Sequence, residues 1–136
     1  QWETSEPMVF MPRLSRRPLD GHEPRDVYQP VGLDDPYFLS PVFDAAAIAY
    51  GHQQAGEMVW PEMQSALQGV GLDGLLSYPV TANLGDHTGV VVQYEADGIL
   101  SAHNIFQQLD AVKLQYGRFF ETHLLTGRAT VVEPER

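Results

Sequence analysis

Prolines stand at positions 7, 12, 18, 24, 30, 36 and 41, and only Pro61, Pro79 and Pro134 follow. Each ring fixes φ near −65° and removes a backbone donor, so a long helix or a central strand cannot run through that spacing. The rhythm predicts that residues 1–40 form an extended, proline-punctuated arm and residues 41–136 a folded domain. Met8-Val9-Phe10-Met11 and Asp26-Val27-Tyr28-Gln29 are each long enough for a short edge strand within the arm. Trp2, Phe10, Tyr28, Tyr37 and Phe38 are large apolar groups on a segment that cannot build its own core. Ordering such a segment costs roughly 1–2 kcal/mol per residue, which only contacts with its own domain or with a neighbour can offset.

Charge is distributed unevenly along the 136 residues. Arg13, Arg16, Arg17 and Arg25 lie in the arm, whereas Asp26 to Val112 holds eleven acids and no Lys or Arg, within a formal net charge of −10. A domain without cations cannot present the basic stripe that phosphates require, which argues against nucleic acid and against an anionic membrane surface. No apolar run approaches the length of a membrane span. With no cysteine there is no disulfide framework, thiolate metal site or cysteine nucleophile. The sequence begins at Gln1; read as a processed end, this leads to the expectation of an extracytoplasmic or virion-associated protein.

In the domain, Asp44 before Ala45-Ala46-Ala47 predicts an N-cap and a helix reaching about Val59. Leu75–Ala82 reads as an edge or bulged strand carrying Pro79. Gly89–Glu95 alternates Val90, Val92 and Tyr94 against Val91, Gln93 and Glu95, the clearest strand pattern in the chain. Residues 83–88 would join these two strands as a hairpin. From Ser101, apolar residues at three-to-four spacing predict one helix of some 25 residues ending at Gly127, followed by a strand over Arg128–Val132. The expected fold class is α+β: an antiparallel sheet with two helices on one face, a ferredoxin-like βαββαβ split if the arm supplies the first strand.

Chemistry is sparsely signalled. No phosphate loop, dinucleotide fingerprint, nucleophile elbow or His-x-x-x-His pair occurs, so no cofactor or metal is expected. Asp86 and His87, in the glycine-flanked Gly85–Gly89 loop, are weak candidates for acid–base work, because loop residues of this kind also serve ordinary turns. Adjacent side chains on a strand-like segment point apart, so Asp86 is expected to orient His87 poorly. Arg13-Leu14-Ser15-Arg16-Arg17 is either a solvated charge cluster or a docking patch for carboxylates. The leading expectation is a structural or assembly subunit of a larger complex, whose arm packs on a neighbouring subunit of the same or a different chain. Trp2, Phe10 and Tyr28 would be its anchors, and Arg13, Arg16 and Arg17 would set its register. The alternative is a small dimeric α+β enzyme or ligand-binding protein with a pocket near Tyr78, His87 and Tyr94.

Overall fold

The computed structural model describes residues 6–134. The main sheet is parallel throughout, which overturns the antiparallel expectation. Its strands are β1 (Val27–Gly32), β2 (Gln53–Ala55), β3 (Leu75–Leu76) and β5 (Gly89–Tyr94), in the order β1-β5-β2-β3. A second, two-stranded sheet pairs β4 (Val80–Thr81) antiparallel with β6 (Thr130–Val131).

Helices cover both faces rather than one. On one side α2 (Ser40–Tyr50) and α3 (Glu62–Gln68) pack Ala47, Trp60, Met63 and Leu67 against Val31 and Val91. On the other, α4 (Ile105–Gln108), α5 (Asp110–Thr126) and the β4–β6 pair enclose Val90, Val92 and Tyr94 with Ile105, Val112, Phe119 and Val131. The period-two alternation in Gly89–Tyr94 is therefore real, but both sets of side chains are buried. A strand covered on both faces belongs to a parallel sheet, whose crossovers are the helices themselves.

The N-terminal segment is not an extended arm. Pro7–Leu14 forms helix α1, with Pro7 in its first turn and Glu6 capping the Met8 amide. Pro is tolerated there because its missing N–H has no intrahelical partner. Proline is also accommodated in β1. Val27 N donates to Thr88 O and Leu33 N to Tyr94 O, so odd-numbered amides face β5 and Pro30 turns its donorless nitrogen to the open edge.

Other expected boundaries move for local reasons. The first domain helix begins at Ser40, with Pro41 in its opening turn, and Asp44 lies buried inside it, near Trp60 Nε1 (3.4 Å). It stops at Gly51, whose φ of +86° admits no ordinary side chain without strain and lets its amide reach Ala47 O and Ile48 O. The long helix divides at Leu109, which is extended (φ −86°, ψ 120°). Leu75–Ala82 splits into β3 and β4, one in each sheet, and β4 does not pair with β5 as a hairpin.

Glutamines hold the crossovers. Gln93, on β5, accepts from Val59 N (2.8 Å) and Trp60 N (3.0 Å) and donates to Trp60 O (3.1 Å). It thereby acts as a surrogate strand for a segment that has none. Gln93→Leu would strand those three buried backbone groups, and a loss of about 2–4 kcal/mol is expected in urea denaturation.

His52 is wholly buried, stacked on Tyr50, with its Nδ1 3.2 Å from Gln29 Oε1. Burial first, and nearby His87 second, push its pKa down to about 3. Below the ordinary histidine value of about 6.5, the unfolded chain binds a proton that the folded one refuses, so stability falls as pH drops. In His52→Phe, the fall in stability between about pH 6.5 and 5 should be shallower by up to one proton, as measured by denaturation at a series of pH values.

Candidate functional site

Asp26 carries the junction at the amino ends of the strands. Its Oδ1 accepts from Thr88 N (2.6 Å), and its Oδ2 accepts from Ala129 N (3.0 Å) and lies 2.8 Å from His123 Nδ1. Beside it, the 82–88 loop folds back on itself, with Ala82 and Gly85 at positive φ. That turn brings Asp86 Oδ1 to 3.0 Å from His87 Nδ1, correcting the expectation that adjacent residues would point apart. On its other side, His87 Nε2 lies 3.0 Å from Ser15 Oγ, contributed from just beyond α1. Nothing local in the sequence links Ser15 to His87, which stand 72 residues apart.

In the neutral imidazole, Nδ1–H donates to Asp86 and Ser15 Oγ–H donates to Nε2. The order Ser–His–Asp is that of a hydrolytic relay, but its exposure is inverted. A relay buries the carboxylate and presents the hydroxyl to the substrate. Here Ser15 is 1% exposed, whereas the Asp86 side chain is 66% exposed. The adjacent cavity, about 300 Å³, is lined by Asp86, His87, His123 and Arg25 but not by Ser15. The hydrogen bond from His87 lowers the Asp86 carboxyl below its ordinary value, as any surface partner would. This geometry makes His87 a clasp between α1 and the loop.

A second site lies at the opposite, carboxyl edge of the parallel sheet, the edge at which open α/β sheets bind ligands. A cavity of about 490 Å³ is walled by Tyr78, Val92, Tyr94 and Ala111, with Glu57 and Glu133 at its rim. Behind the wall, the Tyr28 and Tyr94 hydroxyls lie 2.6 Å apart and both reach Gln115 Oε1, so one phenol donates to the other and the second donates to Gln115, whose Nε2 donates to Val132 O (2.6 Å). Burial holds both phenols well above the usual tyrosine range, so they remain protonated donors. Burial raises Tyr78 as well. Gln115 lies close enough to favour its phenolate slightly, yet no hydrogen bond of normal geometry satisfies the Tyr78 hydroxyl.

The sequence-derived residues thus separate. Tyr78 and Tyr94 share the carboxyl-edge cavity, but His87 precedes the strand that Tyr94 ends, so the length of β5 divides them. Phe10, Arg13, Arg16 and Arg17 are exposed on or just after α1, and Arg16 lies against Gly51 at the end of α2. Tyr28 is committed to the internal tyrosine network. Trp2 falls outside the described residues. Among the described residues no group of three His, Asp or Glu side chains is arranged to hold a metal, and no helix is long and apolar enough to cross a membrane.

The inverted relay makes distinct mutational expectations. Ser15→Ala and His87→Ala should each cost about 1–3 kcal/mol, because each leaves a buried polar partner unsatisfied. Asp86→Asn should change stability by less than about 0.5 kcal/mol, as exposed positions do. Hydrolysis of para-nitrophenyl acetate should be no faster with the native chain than with Ser15→Ala; a Ser15-dependent turnover would contradict the clasp assignment.

Comparison with protein-family models, with curated proteins and with solved structures finds no match to this chain, so its functional reading rests on geometry alone.

Proposed function

We propose that this chain is an assembly subunit whose N-terminal segment engages the acidic body of a second copy. The supporting observation is the surface of α1 and the turn after it. Phe10 (51% exposed) and Leu14 (45%) stand one helical turn apart, beside exposed Arg13, Arg16 and Arg17. None of these three arginines pairs with a carboxylate among the described residues. An apolar pair flanked by unpaired guanidinium groups suits a surface rich in carboxylates, which Arg engages in bidentate fashion. The cationless stretch from Asp26 to Val112 contributes exposed carboxylates, Glu57, Glu62, Asp73 and Glu95 among them, and every copy carries both halves.

The earlier anchor set is narrowed in this proposal. Tyr28 supports the interior of its own subunit and Trp2 lies outside the described residues, so Phe10 is kept as an apolar contact, Leu14 is added to it, and the arginines set the register. A second apolar face reinforces the assembly reading: Tyr116, Phe120 and Leu124 recur at every fourth residue on the exposed side of α5. Scattered exposed apolar residues are ordinary, but an aligned stripe marks a surface made for contact.

Sedimentation velocity at low ionic strength should show species heavier than the 15.2 kDa monomer. Raising salt should weaken association, because exposed charges are screened beyond roughly 10 Å at 0.1 M. Combined Arg13→Glu, Arg16→Glu and Arg17→Glu should weaken it by about tenfold or more. Association that is unchanged by the triple substitution would reject this use of the N-terminal face.

A further inference from the structure

We infer that the cavity at the carboxyl edge of the parallel sheet binds a small organic amine in its cationic form, held over an aromatic wall by Glu57 and Glu133. The inference is independent of the assembly proposal. It begins from which groups the cavity leaves free. Tyr94 spends its one proton on Gln115 or Tyr28, behind the wall. Gln93 uses its Nε2 on Trp60 O and its Oε1 on Val59 N and Trp60 N. The Tyr78 hydroxyl is buried beside Gly56, which also lines the cavity, and has no hydrogen-bond partner among the described residues. Apart from the Tyr78 hydroxyl, the lining side chains offer a ligand no free donor.

They do offer acceptors. Glu57 and Glu133 are exposed at the rim, and among the described residues no Lys, Arg or His lines the cavity. An adjoining recess of about 240 Å³ shares Glu57, Gln93 and Tyr94 and adds Glu95, so the negative field extends past the mouth. The phenols stay neutral, as burial requires, and their ring faces are electron-rich. A cation seated over such faces gains roughly 0.5–2 kcal/mol. A ligand that satisfies this surface must bring both the N–H donors and the positive charge, while its body meets Val92, Ala111 and the tyrosine rings. The volume lies within the range of small-molecule pockets, about 300–1,000 Å³. An anion would face unpaired carboxylates, and a neutral apolar ligand would leave them uncompensated.

Titration of the full chain with tyramine, followed by isothermal calorimetry and by amide chemical-shift changes, tests the inference. Saturable binding is expected, with shifts centred on Gly56, Tyr78 and Tyr94. Para-ethylphenol, which keeps the ring and ethyl body but lacks the amine, should bind at least about tenfold more weakly, and Glu57→Gln with Glu133→Gln should reduce tyramine affinity by a similar factor. Asp20→Asn, an exposed acid on the N-terminal segment, should leave affinity unchanged. The same amine head occurs on a lysine side chain, so Nα-acetyl-lysine amide forms a second arm. Tighter binding of tyramine identifies a free aromatic amine, and tighter binding of the lysine derivative identifies a basic side chain. Equal affinity for tyramine and para-ethylphenol, affinity unaffected by the double substitution, or no saturable binding of either amine at millimolar concentration would overturn the inference.

Discussion

The fold depends on one strand that has no exposed side. All six residues of β5 are buried, its edges pair with β1 and β2, and its faces meet different helix layers. Burying a valine contributes about 1.5–3 kcal/mol, so Val90, Val91 and Val92 stabilise the centre only if helices cover both faces. That requirement determines the crossovers. α2 must return the chain past β5 to place β2, and α5 must close the other face. The backbone amides at the start of the strand need their own partner, and Asp26 supplies it by holding Thr88 and Ala129 with one carboxylate.

The sequence carried the side-chain alternation of β5 but not its environment. Three consecutive valines followed by Gln and Tyr are compatible with one covered face or two, and period alone does not separate these. The deciding neighbours, β2 and β3, are three and two residues long, too short to show any period. The proline rhythm was legible physically yet led to the wrong sum. Pro7 and Pro41 sit in opening turns of helices, Pro61 immediately precedes α3, and Pro30 occupies an open strand edge. Pro7, Pro41 and Pro61 obey the local rule that excludes proline from element interiors, Pro30 lies inside β1 but with its nitrogen on the open edge, and Pro12 lies within the short α1. A ladder of prolines marks the beginnings of elements as readily as their absence.

Legibility of the sites followed the same division. Asp86 and His87 stood out because loop acids and imidazoles are recognisable by type. Their meaning depended on Ser15, which arrives through tertiary packing, and on which end of the chain of bonds meets water. Glu57 and Glu133 carried no signal, since isolated acids in an acidic chain are unremarkable until a cavity gathers them. Gln115 would have been read as a surface residue of a helix. Its complete burial is explained only by two phenols and a carbonyl converging on it.

The two edges of the sheet consequently have different physical characters. At the amino edge His87, His123, Asp26 and Asp86 satisfy one another, and His87 spends both ring nitrogens on protein groups. Such a network fixes geometry and leaves little chemistry available, because any substrate would have to displace a bond that already holds α1 in place. At the carboxyl edge the donors other than the Tyr78 hydroxyl are consumed internally, while among the described residues the rim carboxylates have no cationic partner. Desolvating those carboxylates without a cation is unfavourable, and that cost disappears when a ligand or a neighbouring chain brings positive charge. The absence of Lys and Arg from Asp26 to Val112 therefore has a local consequence beyond net charge: the strands of the parallel sheet and the loops between them bring no Lys or Arg to this edge. Arg13 on α1, with Arg16 and Arg17 just after it, faces solvent.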